Sequence, residues 1–179
     1  MPSRVQIDRM KAVGLAALAL AVMATEVFAR SPASVARAGI DAFTSNCFSP
    51  RMTAETAANA LGLANVSHDF YDLDPFTSAA PSPAKTSPTP GTDRRCEVSF
   101  PGDFAQDAVT AVAARLLREG ITEPASVPAI HEDLRSRGTV LLAARRLNPQ
   151  KIAVVHVGTR PGANGIETFL NVERLRLPN

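Results

Sequence analysis

The chain has 179 residues, 19 of them basic and 17 acidic, for a formal net charge of +2. A balance this even leaves no basic stripe for a nucleic-acid backbone. Tryptophan is absent and Tyr71 is the single tyrosine, which weakens any reading built on aromatic stacking of sugars or bases.

Residues 12–24, AVGLAALALAVMA, form an unbroken apolar run behind Arg4, Arg9 and Lys11, and small residues follow. This is the layout of an export signal, and the run is too short to span a bilayer comfortably. Val27 and Ala29 suit the side-chain demands of a cut after Ala29. The sequence therefore predicts a signal peptide over 1–29 and a single exported domain over 30–179, with an uncleaved anchor as the competing reading. No later apolar run reaches membrane-spanning length, so the expected compartment is periplasmic or secreted, with no membrane span in the mature chain.

The first expected helix covers 34–46, where Ala36, Ile40 and Phe43 recur at helical spacing and Ser34 can cap. Gly39 is its weak point. A second helix fits 54–61, with Thr53 as cap and Gly62 as a left-handed terminator. Residues 74–92 contain Pro75, Pro81, Pro83, Pro88 and Pro90. Proline fixes φ and removes a donor, so this stretch reads as a Pro-rich surface loop within the domain. Cys96, Val98 and Phe100 then alternate along a half-buried strand, 95–100. A helix over 103–119 starts at a capping-box-like Asp103/Gln106 and ends at Gly120. Its buried stripe is Ala105, Val109, Val112 and Leu116, flanked by Phe104, Ala108 and Leu117. Strands follow at 139–146, 151–158 and 166–175, with a turn at 147–150. The second of these is apolar on both sides and so central. Along the last, Ile166, Leu170 and Val172 share one face, while Glu167, Asn171 and Glu173 share the other. The predicted fold class is α+β: an antiparallel sheet of about four strands, covered on one face by helices.

Cys47 and Cys96 are the only cysteines. Outside the cytoplasm an even pair reads as a disulfide, and no CxxC spacing supports a redox thiol. The densest group of proton carriers is the run from His68 to Asp74, in which His68, Phe70, Asp72 and Asp74 share one side of an extended segment. Asp72 and Asp74 are candidate metal ligands, although the EF-hand requirements fail. The plainer reading has Phe70, Leu73 and Phe76 anchoring the segment and the acids in water. His156, within an apolar strand, is either a buried base or a packed, hydrogen-bonded histidine. His131 reads as solvated. Arg145, Arg146, Arg160, Arg174 and Arg176 either converge on an anion or pair with Glu167 and Glu173 across strands. Ser82 and Lys85 match the SxxK spacing by chance, because Pro83 opposes the helical turn such a pair needs. The glycines of 158–165 precede a strand rather than a helix, which makes them a hairpin turn and not a phosphate loop.

The blocks TPGTDRRCEVSF (89–100) and ARRLNPQKIAVVHVGTRPGANGIETFLNVERL (144–175) resemble small uncharacterised exported proteins of alphaproteobacterial type. The resemblance covers the C-terminal half and the Cys47 region. It implies an exported disulfide domain and assigns no functional residue. The expectation is a non-catalytic binding or cell-envelope accessory module without a cofactor, whose partner is possible within the envelope. The enzymatic alternative is a small periplasmic hydrolase using His156 or the His68/Asp72/Asp74 group.

Overall fold

Apolar and polar side chains largely alternate along residues 95–100 and 166–173, which commits both segments to a sheet with one apolar face. The computed structural model describes residues 31–64, 66–84 and 87–177 and shows that sheet. Its spatial order is β1-β2-β6-β5-β4-β3, antiparallel throughout. The strands are β1 (Ser67–Asp72), β2 (Thr92–Pro101), β3 (Pro124–Ala125), β4 (Thr139–Asn148), β5 (Lys151–Gly162) and β6 (Gly165–Arg176). The expected meander is β4-β5-β6, and the expected 95–100 strand joins it as β2 against β6. The expectation of about four strands is corrected to six. β1 escapes the pattern because acidic and basic residues interrupt its apolar positions. β3 is two residues on an edge, where Pro124 costs no ladder bond.

Helix α1 (Pro32–Asn46) begins earlier than expected: the Ser31 hydroxyl, not that of Ser34, caps it by accepting from the Ser34 N–H at 3.2 Å. α2 (Ala54–Gly62) is held by a reciprocal capping box between Thr53 and Thr56. Gly62 remains inside α2, which closes at Leu63 in the right-handed region, so the left-handed terminator is corrected. α3 (Ala105–Arg118) lacks the expected Asp103/Gln106 box. Instead the Phe104 N–H donates to Thr168 Oγ1 of β6 at 2.8 Å, tying the helix start to the sheet. Gly120 ends it at φ +69°. A single turn, α4 (Ala129–Glu132), lies in the 121–138 connection. Among the described residues no helix is long and apolar enough to cross a membrane.

α1, α2 and α3 cover one sheet face. Ile40, Phe43, Leu61, Val112 and Leu116 pack there against Val98, Phe100, Val155, Val157 and Leu170. Leu117 lies outside this stripe and is exposed. At Gly39 α1 presses close against the sheet, since a Cβ there would stand 2.5 Å from Phe100 Cδ1. Gly39→Ala is therefore expected to destabilise the fold by about 1–3 kcal/mol through overpacking, although alanine is the better helix former. Urea denaturation checks the sign: a gain in stability would mean that α1 is not seated on Phe100.

The Pro-rich stretch joins β1 to β2, and within it the Ser82 N–H donates to the Asp72 carbonyl at 2.8 Å. Cys47, at the end of α1, and Cys96, in the middle of β2, form a disulfide with their Cα atoms 5.6 Å apart. This bridge closes the loop that contains α2, β1 and the Pro-rich excursion.

Candidate functional site

The sheet carries a different chemistry on each face. At one end of the helix-covered face, α1 and the segment after α3 diverge above β2, β6 and β5 and leave a cavity of about 510 Å³. Cys96, Val172 and Ala153 form its floor, and the disulfide is part of its wall through Cys47. Phe48, Pro50, Ile121 and Leu147 enclose it, and Phe76, 74% exposed, stands at the mouth. The volume falls within the range of small-molecule sites, and the lining is mostly apolar.

The polar part of the lining is mainly cationic: Arg94, Arg174 and Lys151, with Asn148 neutral and Glu119 acidic. Glu119 is paired with Arg115 at 2.7 Å. The carboxylates that hold the three cations lie behind them. Asp72, 2% exposed, accepts from Arg174 Nη2 at 2.9 Å and faces Arg94 Nε at 3.5 Å. Asp93 accepts from Arg174 Nε at 2.5 Å and lies 3.2 Å from Lys151 Nζ. Asp74 accepts from Lys151 Nζ at 2.7 Å and from Arg176 Nη2 at 2.5 Å. The hydrogen bond from Lys151, followed by that from Arg176, holds the Asp74 carboxyl below its usual pKa against the opposing effect of burial. Arg94 also donates through Nη2 to the Ser49 and Met52 carbonyls, and its guanidinium lies over the Phe70 ring at 5.3 Å. Burial pulls the Arg94 pKa below the usual arginine value.

The sequence reading that left the acids of this run in water is corrected at Asp72, which is buried among guanidinium groups because β1 pairs with β2. Leu73 and Phe76, expected as anchors, are exposed, and Phe70 alone is buried. Asp72 and Asp74, the candidate metal ligands, face four cations. No group of three or more His, Cys, Asp or Glu side chains able to hold a metal occurs among the described residues.

The opposite face holds two cross-strand polar rows, Tyr71–Arg95–Glu173 and Asp69–Glu97–Asn171–His156. Glu173, 1% exposed, accepts from Thr92 Oγ1 at 2.9 Å and Asn171 Nδ2 at 3.2 Å, and lies 2.9 Å from His131 Nε2. His131, expected in solvent, is 3% exposed: α4 lowers it onto the sheet and pins the 121–138 connection there. Burial alone would raise the Glu173 pKa. Hydrogen bonds from His131, Asn171 and Thr92, with the Arg95 charge, override burial and hold it at about 2. Tyr71, fully buried beside Glu173, is pushed up to about 12, first by burial and then by that carboxylate.

His156 lies on this second face, away from Asp72. Its Nε2 is 2.9 Å from Thr139 Oγ1, its ring meets Phe169 edge-on at 4.8 Å, and burial depresses its pKa. His156 and the His68/Asp72/Asp74 group thus belong to separate faces and do not converge. The arginines divide similarly. Arg160 pairs with Glu167 and Glu97, each at 2.7 Å, and Arg146 with Glu123. Arg174 and Arg176 go to the aspartates of the other face. Arg145 bonds the neighbouring Ala144 carbonyl. Residues 158–165 form the expected hairpin, closing at Gly162 and Gly165. The signal region 1–29 and Lys85 of the SxxK match lie outside the described residues.

Sequence reasoning missed Arg94, Asp93, Lys151, Phe48, Ile121 and Leu147 as members of one site. They come from five segments of the chain, and no local spacing links them. The depressed Glu173 carboxyl has a consequence for acid stability. Because its folded pKa lies below the ordinary 4.5, its stabilisation is present above about pH 4.5 and is lost as pH falls toward about 2. The loss is expected to be on the order of 3 kcal/mol. Urea denaturation at pH 7 and pH 2.5 should show that difference shrinking in Glu173→Gln, and an unchanged difference would contradict the assignment.

No protein-family model matches this chain, and neither does any curated protein or solved structure.

Proposed function

We propose that this chain is an exported, disulfide-stabilised binding module of the cell envelope, periplasmic or secreted, that holds a small, largely apolar molecule without transforming it. The observation that carries this reading is the cavity of about 510 Å³, floored by Cys96, Val172 and Ala153. The apolar run at 12–24 behind basic residues and the Cys47–Cys96 bridge support export. The likeness to small exported proteins points the same way. The separation of His156 from the His68/Asp72/Asp74 group favours binding over hydrolysis, because a catalytic constellation must share a pocket.

Thermal denaturation with decanol as an uncharged probe tests the pocket. A ligand of the native state at a hundredfold excess over its dissociation constant adds about 2.7 kcal/mol, which raises the melting temperature by several degrees. The shift is expected in the wild type and absent in Val172→Phe, whose larger side chain fills the floor. An equal shift in both, or none in the wild type, would remove the reading.

A further inference from the structure

Resting on that binding reading, we infer that the occupant is an amphipathic monoanion: an apolar chain or ring system ending in one carboxylate. Two observations lead there. The walls and mouth of the cavity are apolar, from Phe48, Ile121, Leu147 and the exposed Phe76. Its charged lining is Arg94, Arg174 and Lys151 with Glu119, and the aspartates that restrain the three cations stand outside the lining.

The charge count sets the valence. Four cations, Arg94, Arg174, Arg176 and Lys151, share one network with three carboxylates, Asp72, Asp74 and Asp93. Among the described residues the network carries one positive charge in excess, a count that includes Arg176, which is 61% exposed and outside the lining. Glu119 does not cancel that charge because Arg115 holds it. Arg94 is 6% exposed, and its Nε faces Asp72 Oδ2 at 3.5 Å without forming a hydrogen bond. A single carboxylate brings the network to neutrality, whereas a dianion would overshoot it and an amine would add repulsion. Guanidinium groups suit carboxylate geometry, and Asp72 and Asp93 already occupy one side of them. The anionic end then lies against Arg94, Arg174 and Lys151, with the chain running past the disulfide toward Phe76.

Calorimetric titration of the oxidised full chain with decanoate and decanol, which share one apolar chain, tests this at neutral pH. Decanoate is expected to bind about ten- to a hundredfold more tightly, the worth of a charge-assisted hydrogen bond. Lys151→Gln should erase most of that preference, and Val172→Phe should weaken the binding of both probes. Equal affinity of the two probes would overturn the monoanion inference and leave the pocket standing. Failure of both to bind would overturn the pocket reading and the inference with it. Tight decanoate binding untouched by either variant would place the anion elsewhere, which also overturns the inference.

Discussion

Replacing Cys47 and Cys96 together with alanine is expected to cost about 4 kcal/mol of stability, the loop-closure value for a sequence separation of 49 residues. A domain of this size has a net stability on the order of 5–15 kcal/mol, so the loss is a large share of the total. The cost should exceed the chain-entropy value somewhat, because both residues are buried in the main core and 5% or less exposed. Unfolding in urea with and without reductant provides the measurement. The wild type should lose stability on reduction, whereas the double variant should be indifferent to reductant. Alkylation of the protein from an envelope fraction under non-reducing conditions should modify neither cysteine. A double variant as stable as the wild type, or quantitative labelling of native thiols, would contradict the structural role given to the bridge.

Asp72→Ala is expected to be equally severe, at about 3–5 kcal/mol, because it strips the counter-charge from two guanidinium groups that are themselves largely buried. The side chains of Arg94 and Arg174 are 8% and 13% exposed, so water cannot take over for the lost carboxylate. Asp72→Asn should cost less, since the amide oxygen still accepts from Arg174. Combining Asp72→Ala with Arg174→Met should recover part of the loss, because the double replacement removes one unpaired charge. Strict additivity of the two substitutions would show that Asp72 and Arg174 do not interact. The same variant bears on the metal reading of this segment. If Asp72 served a cation, calcium would stabilise the wild type and not Asp72→Ala, whereas the guanidinium network predicts indifference to calcium in both.

Legibility in the sequence followed the range of the interactions. β5, the β6 alternation, the Gly120 terminator and the Cys47–Cys96 pair were readable because each rests on local periodicity or on a residue type with few alternatives. β1 was not. His68, Asp69 and Asp72 break the apolar alternation, and their tolerance in a strand depends on Arg94 and Arg95, more than twenty residues away across the Pro-rich stretch. The same reason explains His131, which looks solvated beside Glu132 and Asp133 until Glu173 is placed beneath it. Gly39, a blemish in a helical pattern, is the residue that lets α1 approach Phe100. The cavity was the least legible feature. Its lining combines the end of α1, the segment after α3 and four strands, and only its charged members could have hinted at it, through the excess of arginine and lysine in the last strands.

The two faces of the sheet divide the molecule's work. On one, Glu173, His131, Asn171 and Thr92 form a buried polar network that holds the 121–138 connection down. On the other, an apolar cavity meets a cationic cluster beside the disulfide. The most direct test of this division is a nuclear magnetic resonance titration of the oxidised chain with decanoate, following backbone amides and methyl groups. The account predicts perturbations concentrated at Val172, Ala153, Ile121 and Leu147, with little change at His156, Asn171 and Tyr71. Perturbations centred on the His156 and Glu173 face, with the cavity residues silent, would contradict it.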